Sequence, residues 1–515
     1  MEIFQWLLML LVGAVVLTAL ARYLKLPYPS LLALGGAAIA LLPNAPEFTL
    51  HPELALALFV APVLLDSAFD TSLRDLRRYW VPVLSLVVIA VGITTFAVAW
   101  LAHSLVPDMP WAAAIALGAI VAPPDAAAAS AILRQLHIPH RMVVILEGES
   151  LLNDATALLI YRLAVSAAMG STFSTGVVAW QGLAMIGSVI AGFLLAQIFI
   201  RIVDRVTDIP SSIIMQFVGA FGVWILADEL GLSAIVTVVT FAITAARITP
   251  ERMPASLRIP SYAVWDTVVF VLNVLAFVAI GLQIRPILGS LEGEERTHYL
   301  QIAGCVLATV VFVRIGWVFV YNGIAALKRK LFGPGSWPGE FVPSFAGMTI
   351  VSWCGMRGIV TLATAFALPE GGNGQPAFPY RELILLCAFA VVAGTLVVQG
   401  LTLRPLIVLF GLKDDGTVDK EIHGAEAQLA RVAAEIIDKD GSDAAQMLRA
   451  EFAMPSEDEI ANGSETELAA RNRLRARIIA EQRKKLVRLR RAAVIGDDAF
   501  HRIEERLDRT EVNVR

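Results

Sequence analysis

Charge is scarce in this 515-residue chain: 17% of it is Asp, Glu, Lys or Arg, where soluble domains carry about a quarter. That deficit excludes an ordinary soluble enzyme. Basic excess is missing too, with a formal net charge of -4, so there is no footprint for nucleic acid. Three cysteines, Cys305, Cys354 and Cys387, sit in apolar runs with no C-x-x-C pair, which argues against a disulfide framework or a zinc site. The first residues, MEIFQWLLMLL, have neither a basic n-region nor a small-residue cleavage site and read as a retained first span. No G-x-S-x-G elbow appears, and no histidine or lysine lies in the polar spans to activate Ser150. An intramembrane hydrolase, and an enzyme generally, is therefore disfavoured, and no cofactor is implied.

What the chain has is apolar length. It is 57% hydrophobic with mean hydropathy +0.69, arranged in runs of about 20 residues, enough to cross a hydrocarbon core of about 30 Å. The fold class is all-α: a polytopic membrane protein of about thirteen transmembrane helices over 1–411, followed by a helical domain over 412–515. The fifth, sixth, eleventh and twelfth spans are placed at 111–134, 141–169, 298–328 and 343–370, and Asp228–Gly231 separates the eighth from the ninth. Alternate loops carry the basic residues, among them Arg74, Arg77 and Arg78, then Arg134 and Arg141, then Lys328, Arg329 and Lys330. Basic loops stay in the cytoplasm, which predicts an outer N-terminus and an inner C-terminus in a bacterial inner membrane. Beyond residue 412 helices are expected over 421–439, 442–452 and 464–491, the last opened by a capping box of Ser464 and Glu467. This tail would solvate or dimerise, or make regulatory contacts.

An ionisable side chain inside a span costs a few kcal/mol and marks a site or a pair. The sixth span carries Glu147, Glu149, Ser150, Asn153 and Asp154 within about two turns. Ser150 and Asp154 stand four residues apart, on one face. The fifth span is interrupted by Pro123 and Pro124, which cannot continue a helix, with Asp125 directly after. Such a break at membrane depth needs protein or a watery cavity around it and is how many secondary transporters build an ion site. In the twelfth span Arg357 lies between Gly355 and Gly358, and its guanidinium requires a carboxylate or carbonyls; Glu149 is the expected partner. Arg314 in the eleventh span would pair with Glu147 or line a path, Arg162 would reach the outer interface, and Asp66 and Asp266 read as structural acids. The loop histidines His137 and His140 are expected to be exposed or interfacial.

Together these stretches resemble the bacterial sodium/proton antiporters of the NhaP type, relatives of the animal sodium/proton exchangers. The resemblance is carried by LFVAPVLLDSAFD, the proline–aspartate break, EGESLLNDATALLIYR, FVAIGLQI and WCGMRGIVTLATAFALP, in family order over residues 1 to about 411. It implies that Asp154 is the ion-binding aspartate, with Asn153, Ser150 and Glu149 binding the cation or organising the site. It implies further that Asp125 and the Pro124 carbonyl stand at the unwound fifth helix, and that Arg357 is the arginine of the twelfth. The family's Thr-Asp-Pro is Pro124-Asp125-Ala126 here, so a threonine hydroxyl is absent, and aspartates stand at 66 and 266 where glutamates are frequent. A homodimer follows by resemblance, with a mobile core of inverted repeats whose broken helices cross at the midplane. So does electroneutral exchange of Na+, or Li+, for H+ in pH and sodium homeostasis. Potassium/proton exchange is the alternative within the class, and a cation channel the alternative outside it.

Overall fold

The computed structural model describes residues 2–42, 52–125, 129, 133, 138–170, 175–289, 293–333, 344–371, 376–440, 445 and 465–512. These are helical, joined by short turns. Among the described residues six helices are long and apolar enough to cross a membrane, and four shorter apolar helices accompany them. The helices α1 (Glu2–Leu24), α2 (Tyr28–Ala40), α3 (52–70, with a π-helical turn at Leu56–Val60), α4 (Leu73–Arg78) and α5 (Trp80–Leu105) lead to α6 (Trp111–Val121). Then come α7 (His140–Ala168), α8 (Thr175–Val203), α9 (Ile209–Glu229), α10 (Ala234–Arg252), α11 (Ala255–Leu282) and α12 (Gly293–Phe332). The membrane region closes with α13 (Phe345–Trp353), α14 (Ile359–Phe366) and α15 (Arg381–Phe410).

Two groups of helices pack side by side. One, the core, joins α5, α6, α7, α12, α13, α14 and α15; the other, the scaffold, joins α1, α2, α3, α8, α9, α10 and α11. Small residues set their spacing, because helices in lipid associate by close packing. Gly36 of α2 faces the Val278 carbonyl of α11, and Gly281 of α11 faces the Ala33 carbonyl of α2. Any side chain at either position would drive these two backbones apart. The groups meet where Leu151 and Ala155 of α7 pack with Val60, Ala61, Val238 and Ala242 of the scaffold.

α7 is long enough to span but is not among the apolar helices, because Glu147, Glu149 and Asp154 fall within it. α12 runs for 40 residues, well past the 298–328 expected, since the flanking GEERT and KRKLF segments are polar yet good helix formers. The expected break between the eighth and ninth spans is present: α9 ends at Glu229 and α10 begins at Ala234.

After Gly411 the chain forms α16 (Thr417–Lys439), α17 (Glu465–Arg491) and α18 (Asp497–Val512), which enclose Ile422, Leu429, Leu486, Leu489, Phe500 and Ile503. Ser464, His137, Arg134 and the 442–452 helix apart from Ala445 lie outside the described residues. The bundle neither simply solvates nor stands apart; it docks on one end of the membrane helices, the tail side. Arg74 of α4 meets Glu421 at 2.8 Å. His140, expected to be exposed, instead stands between Asp75 at 3.4 Å and Asp498 at 3.2 Å.

Burial opposes charge on His140, but hydrogen bonds to Asp498 and Asp75 outweigh it and push the imidazole up to about 10. Burial likewise opposes the Asp75 carboxylate, yet His140 and Arg74 bring it down to about 2. The His140 contribution to docking is therefore complete below its ordinary value of 6.5 and fades as pH rises through about 10. The Asp75 contribution is complete above 3.8 and fades as pH falls through about 2. Proteolysis of the tail is expected to accelerate between pH 6.5 and 10, and His140→Gln to remove most of that pH dependence. An unchanged profile in the variant would show that other groups hold the tail.

Candidate functional site

The site forms where two interrupted helices cross. At residues 122–125 the chain leaves the helix of α6, as Pro123 and Pro124 require, and Ala129 and Leu133 are helical beyond the break. At residues 354–358 a non-helical stretch separates α13 from α14. The freed backbone groups of each satisfy the other. The Asp125 amide donates to the Met356 carbonyl at 2.7 Å, and Arg357 donates through Nε to the Val121 carbonyl at 3.1 Å and through Nη2 to the Ala122 carbonyl at 3.2 Å. Nη1 of Arg357 caps the Gly355 carbonyl, and Thr395 of α15 accepts the Arg357 amide at 3.0 Å. A guanidinium is suited to this work, with five donors in a rigid fork and a permanent charge.

Here the structure corrects the expected pairing. Glu149 is not the partner of Arg357. It is held by Arg314 of α12, with Nη1–Oε1 at 2.5 Å and Nη2–Oε2 at 2.8 Å. Arg314 is 3% exposed and Glu149 1%. Arg314 thus takes neither Glu147 nor an open path. Its rotation on α12 also brings it against Gly355, where a side chain would collide with it, and its Nε and Nη2 reach the Ser352 and Val351 carbonyls at 3.2 and 3.3 Å. With both oxygens engaged by Arg314, Glu149 fastens α7 to α12 and, through Arg314, to α13.

One turn along α7, Asn153 is fully buried and donates from Nδ2 to the Pro124 carbonyl at 2.7 Å. Its Oδ1 has no hydrogen-bond partner among the described residues. Asp154 beside it is 7% exposed, with Asp125 close enough for the two charges to interact. Arg314 and Arg357 are both committed elsewhere, and among the described residues no ion pair engages Asp154. Ser150 lies one turn before it on the same face of α7 and is partly buried. Asp125 rests against Gly358, where a Cβ would overlap its carboxylate. Among the described residues no group of three or more His, Cys, Asp and Glu converges as a metal site. A carboxylate with neutral oxygens around it is a donor set for a hard cation.

Gly358→Ala is expected to leave the fold intact, since the obstructed atoms are the end of the Asp125 side chain, and to swing that carboxylate out of the crossing. Ion-coupled proton flux should fall at least tenfold with unchanged thermal melting; full flux would show that Asp125 is not needed there.

Two cavities open on the membrane region. On the tail side one of about 570 Å³ is lined by Asp66, Asp70, Trp265 and Asp266 together with His501 and Asp508 of α18. At the opposite end one of about 470 Å³ reaches Ala155 and Leu158, next to Asp154, and carries Arg162 and Asp228, which pair at 3.8 Å. Leu151, Ala155, Ala61 and Val238 pack in one apolar cluster, and Ala155 is also part of the second cavity's wall. Sequence reasoning missed Thr395 and the cradle at Gly358; a lone threonine in an apolar run gives no signal, while the glycine flanking Arg357 did.

The sodium/hydrogen exchanger transmembrane family matches residues 8–409. Similar proteins include a sodium, potassium, lithium and rubidium/H+ antiporter of Bacillus pumilus, 30% identical over 84% of this chain; the chain spans only 65% of that relative's length. An uncharacterized Na+/H+ exchanger of Mycobacterium tuberculosis is 29% identical over 98% of this chain and 95% of its own. In structure the chain resembles the sodium proton antiporter MjNhaP1 of Methanocaldococcus jannaschii, with a TM-score of 0.59 and 18% identity, over 79% of this chain and 99% of that one.

Proposed function

We propose that this chain, which belongs to the sodium/hydrogen exchanger family, exchanges Na+ or Li+ for H+ across a bacterial inner membrane, one cation per proton, with the tail side facing the cytoplasm. The observation that carries this is Asp154, a buried carboxylate that among the described residues has no protein cation beside the Pro124 break, with the Asn153 oxygen, likewise unpartnered among them, next to it. Taking a bare charge out of water costs several kcal/mol, so the carboxylate requires either a proton or a metal cation. Asp154, Ser150 and the backbone oxygens near Pro124 would hold the ion; Asn153 and Asp125 would organise that set. Because one carboxylate serves both cargoes, binding of either expels the other, and exchange follows if only the compensated site passes between the two cavities. Arg314, Glu149 and Arg357 keep the crossing rigid while this happens.

Proton uptake by proteoliposomes under outward Na+, Li+ and K+ gradients, with membrane potential clamped, tests the reading. Proton movement driven by Na+ and insensitive to the clamp is expected; none with any cation ends the proposal, and a current far above exchanger turnover would indicate a channel. The broad cation range in the printed name of the Bacillus pumilus relative favours one second reading, in which K+ is carried too. Dimerisation, with roles in pH and sodium homeostasis, accompanies the first reading.

A further inference from the structure

Arg162, expected at the outer interface, forms part of the wall of the cavity at the end opposite the tail. It lies on α7, the helix that carries Asp154. Asp154, Leu158 and Arg162 repeat every four residues along one strip of that helix. At 1.5 Å per residue this sets Arg162 about 12 Å from Asp154 along the axis. Ala155 and Leu158 share the cavity wall with it. Asp228, near the end of α9, meets the guanidinium at 3.8 Å, and Glu53, near the start of α3, is the second carboxylate in the wall. Charge is therefore divided by helix group: both carboxylates belong to the scaffold and the cation to the core. The paired side chains are 43% and 59% exposed. A pair this open to solvent contributes little to stability, so it does not fasten α7 to α9 as Arg314 and Glu149 fasten α7 to α12.

We infer that Arg162 is a tethered counter-cation that competes with the transported ion for Asp228 and Glu53, and so sets how readily a small monovalent cation binds from the side opposite the tail. The inference deepens the exchange reading and rests on it. A free cation entering this cavity meets two carboxylates and a guanidinium already paired with one of them. To reach Asp228 it must displace Arg162. The displaced guanidinium stays within a side chain's length of α7 and repels the ion from the part of that helix that carries Asp154. Fixed charges lining a cleft control the local concentration of small ions in this way, and salt screens the effect. Arginine keeps its charge at every working pH, so the competition is constant from acid to alkaline conditions. Loss of Arg162 frees both carboxylates for the cargo; loss of Asp228 leaves the guanidinium uncompensated. A shift of α7 against α9 alters the pairing and the field in the cavity together, because the two partners sit on different helix groups.

Ser166, one turn beyond Arg162 and in the same wall, is the probe position. The test uses the full chain carrying Ser166→Cys with Cys305→Ser, which removes the exposed cysteine while Cys354 and Cys387 stay buried. This protein is labelled from the side opposite the tail with a cationic and an anionic methanethiosulfonate reagent. The ratio of the two rates reads the local potential and needs no transport. Arg162→Gln is expected to shift the ratio severalfold toward the cationic reagent, Asp228→Asn severalfold toward the anionic one, and Arg162→Lys hardly at all. These shifts should shrink in 1 M salt, where charges are screened within about 3 Å. In proteoliposomes Arg162→Gln should lower the apparent KM for Na+ severalfold from that side and not from the tail side, and Asp228→Asn should raise it there. Shifted ratios without ion-driven flux in any protein, wild type included, would leave Arg162 as the counter-charge of the cavity and overturn the exchange reading. Unchanged ratios would overturn the inference, and so would shifted ratios in a protein that exchanges with KM unaltered or altered equally from both sides.

Discussion

Replacing Asp154 by asparagine is expected to reduce ion-driven proton flux to that of protein-free vesicles while the protein remains folded. Asparagine matches the side chain in shape, so packing against Leu151 and Ala155 is preserved, but it neither ionises nor takes up a proton at any physiological pH. Both halves of the exchange are lost together, because the same oxygens serve both. Asp154→Glu keeps the charge and adds a methylene in a buried crossing, so it should retain a fraction of the flux at weakened apparent cation affinity. Thermal melting and detergent chromatography would establish folding. Wild-type flux in Asp154→Asn would remove this carboxylate from the mechanism and leave Asp125 as the acid to examine.

Arg314→Met should destabilise the membrane core by about 3–5 kcal/mol, since it leaves Glu149 buried without its cation. The cost is large because Glu149 has both oxygens on Arg314 and lies 1% exposed. Pairing the change with Glu149→Leu should recover most of the loss, as apolar replacement of both members of a buried pair is often nearly neutral. A double-mutant cycle in thermal melting gives the coupling. Recovery of stability with flux still depressed would separate fastening from transport; a double variant destabilised by the sum of the two single changes would show that the pair carries no net coupling.

Much of the site was legible because lipid makes polar residues conspicuous. Asp154, Asn153 and Ser150 stood out as a polar cluster in an apolar run, and Pro123–Pro124 had to break a helix wherever it packed. Arg357 was likewise legible as a residue in need of carbonyls or an acid. Which arginine meets Glu149 was not, because the answer depends on the rotation of α12 about its axis against α7, 165 residues away in sequence. Nor was the docked tail: Asp498, Glu504 and Asp508 alternate with arginines as on any solvated helix, and nothing local says that Arg258 will be buried against two of them. The ends of α12 were misplaced for a related reason, since hydropathy reports where lipid ends and not where the helix does.

The mutual satisfaction of the two interrupted segments carries a consequence for how the protein is made. Arg357 supplies the donors for the carbonyls at Val121 and Ala122, yet it lies 236 residues downstream of Val121. At roughly 5–20 residues per second, the ribosome needs on the order of 10–50 s to deliver it. Over that interval the Val121 and Ala122 carbonyls lack the guanidinium that satisfies them in the finished fold, although Asn153 can already meet the Pro124 carbonyl. The crossing is therefore completed only when the second half of the membrane region assembles on the first.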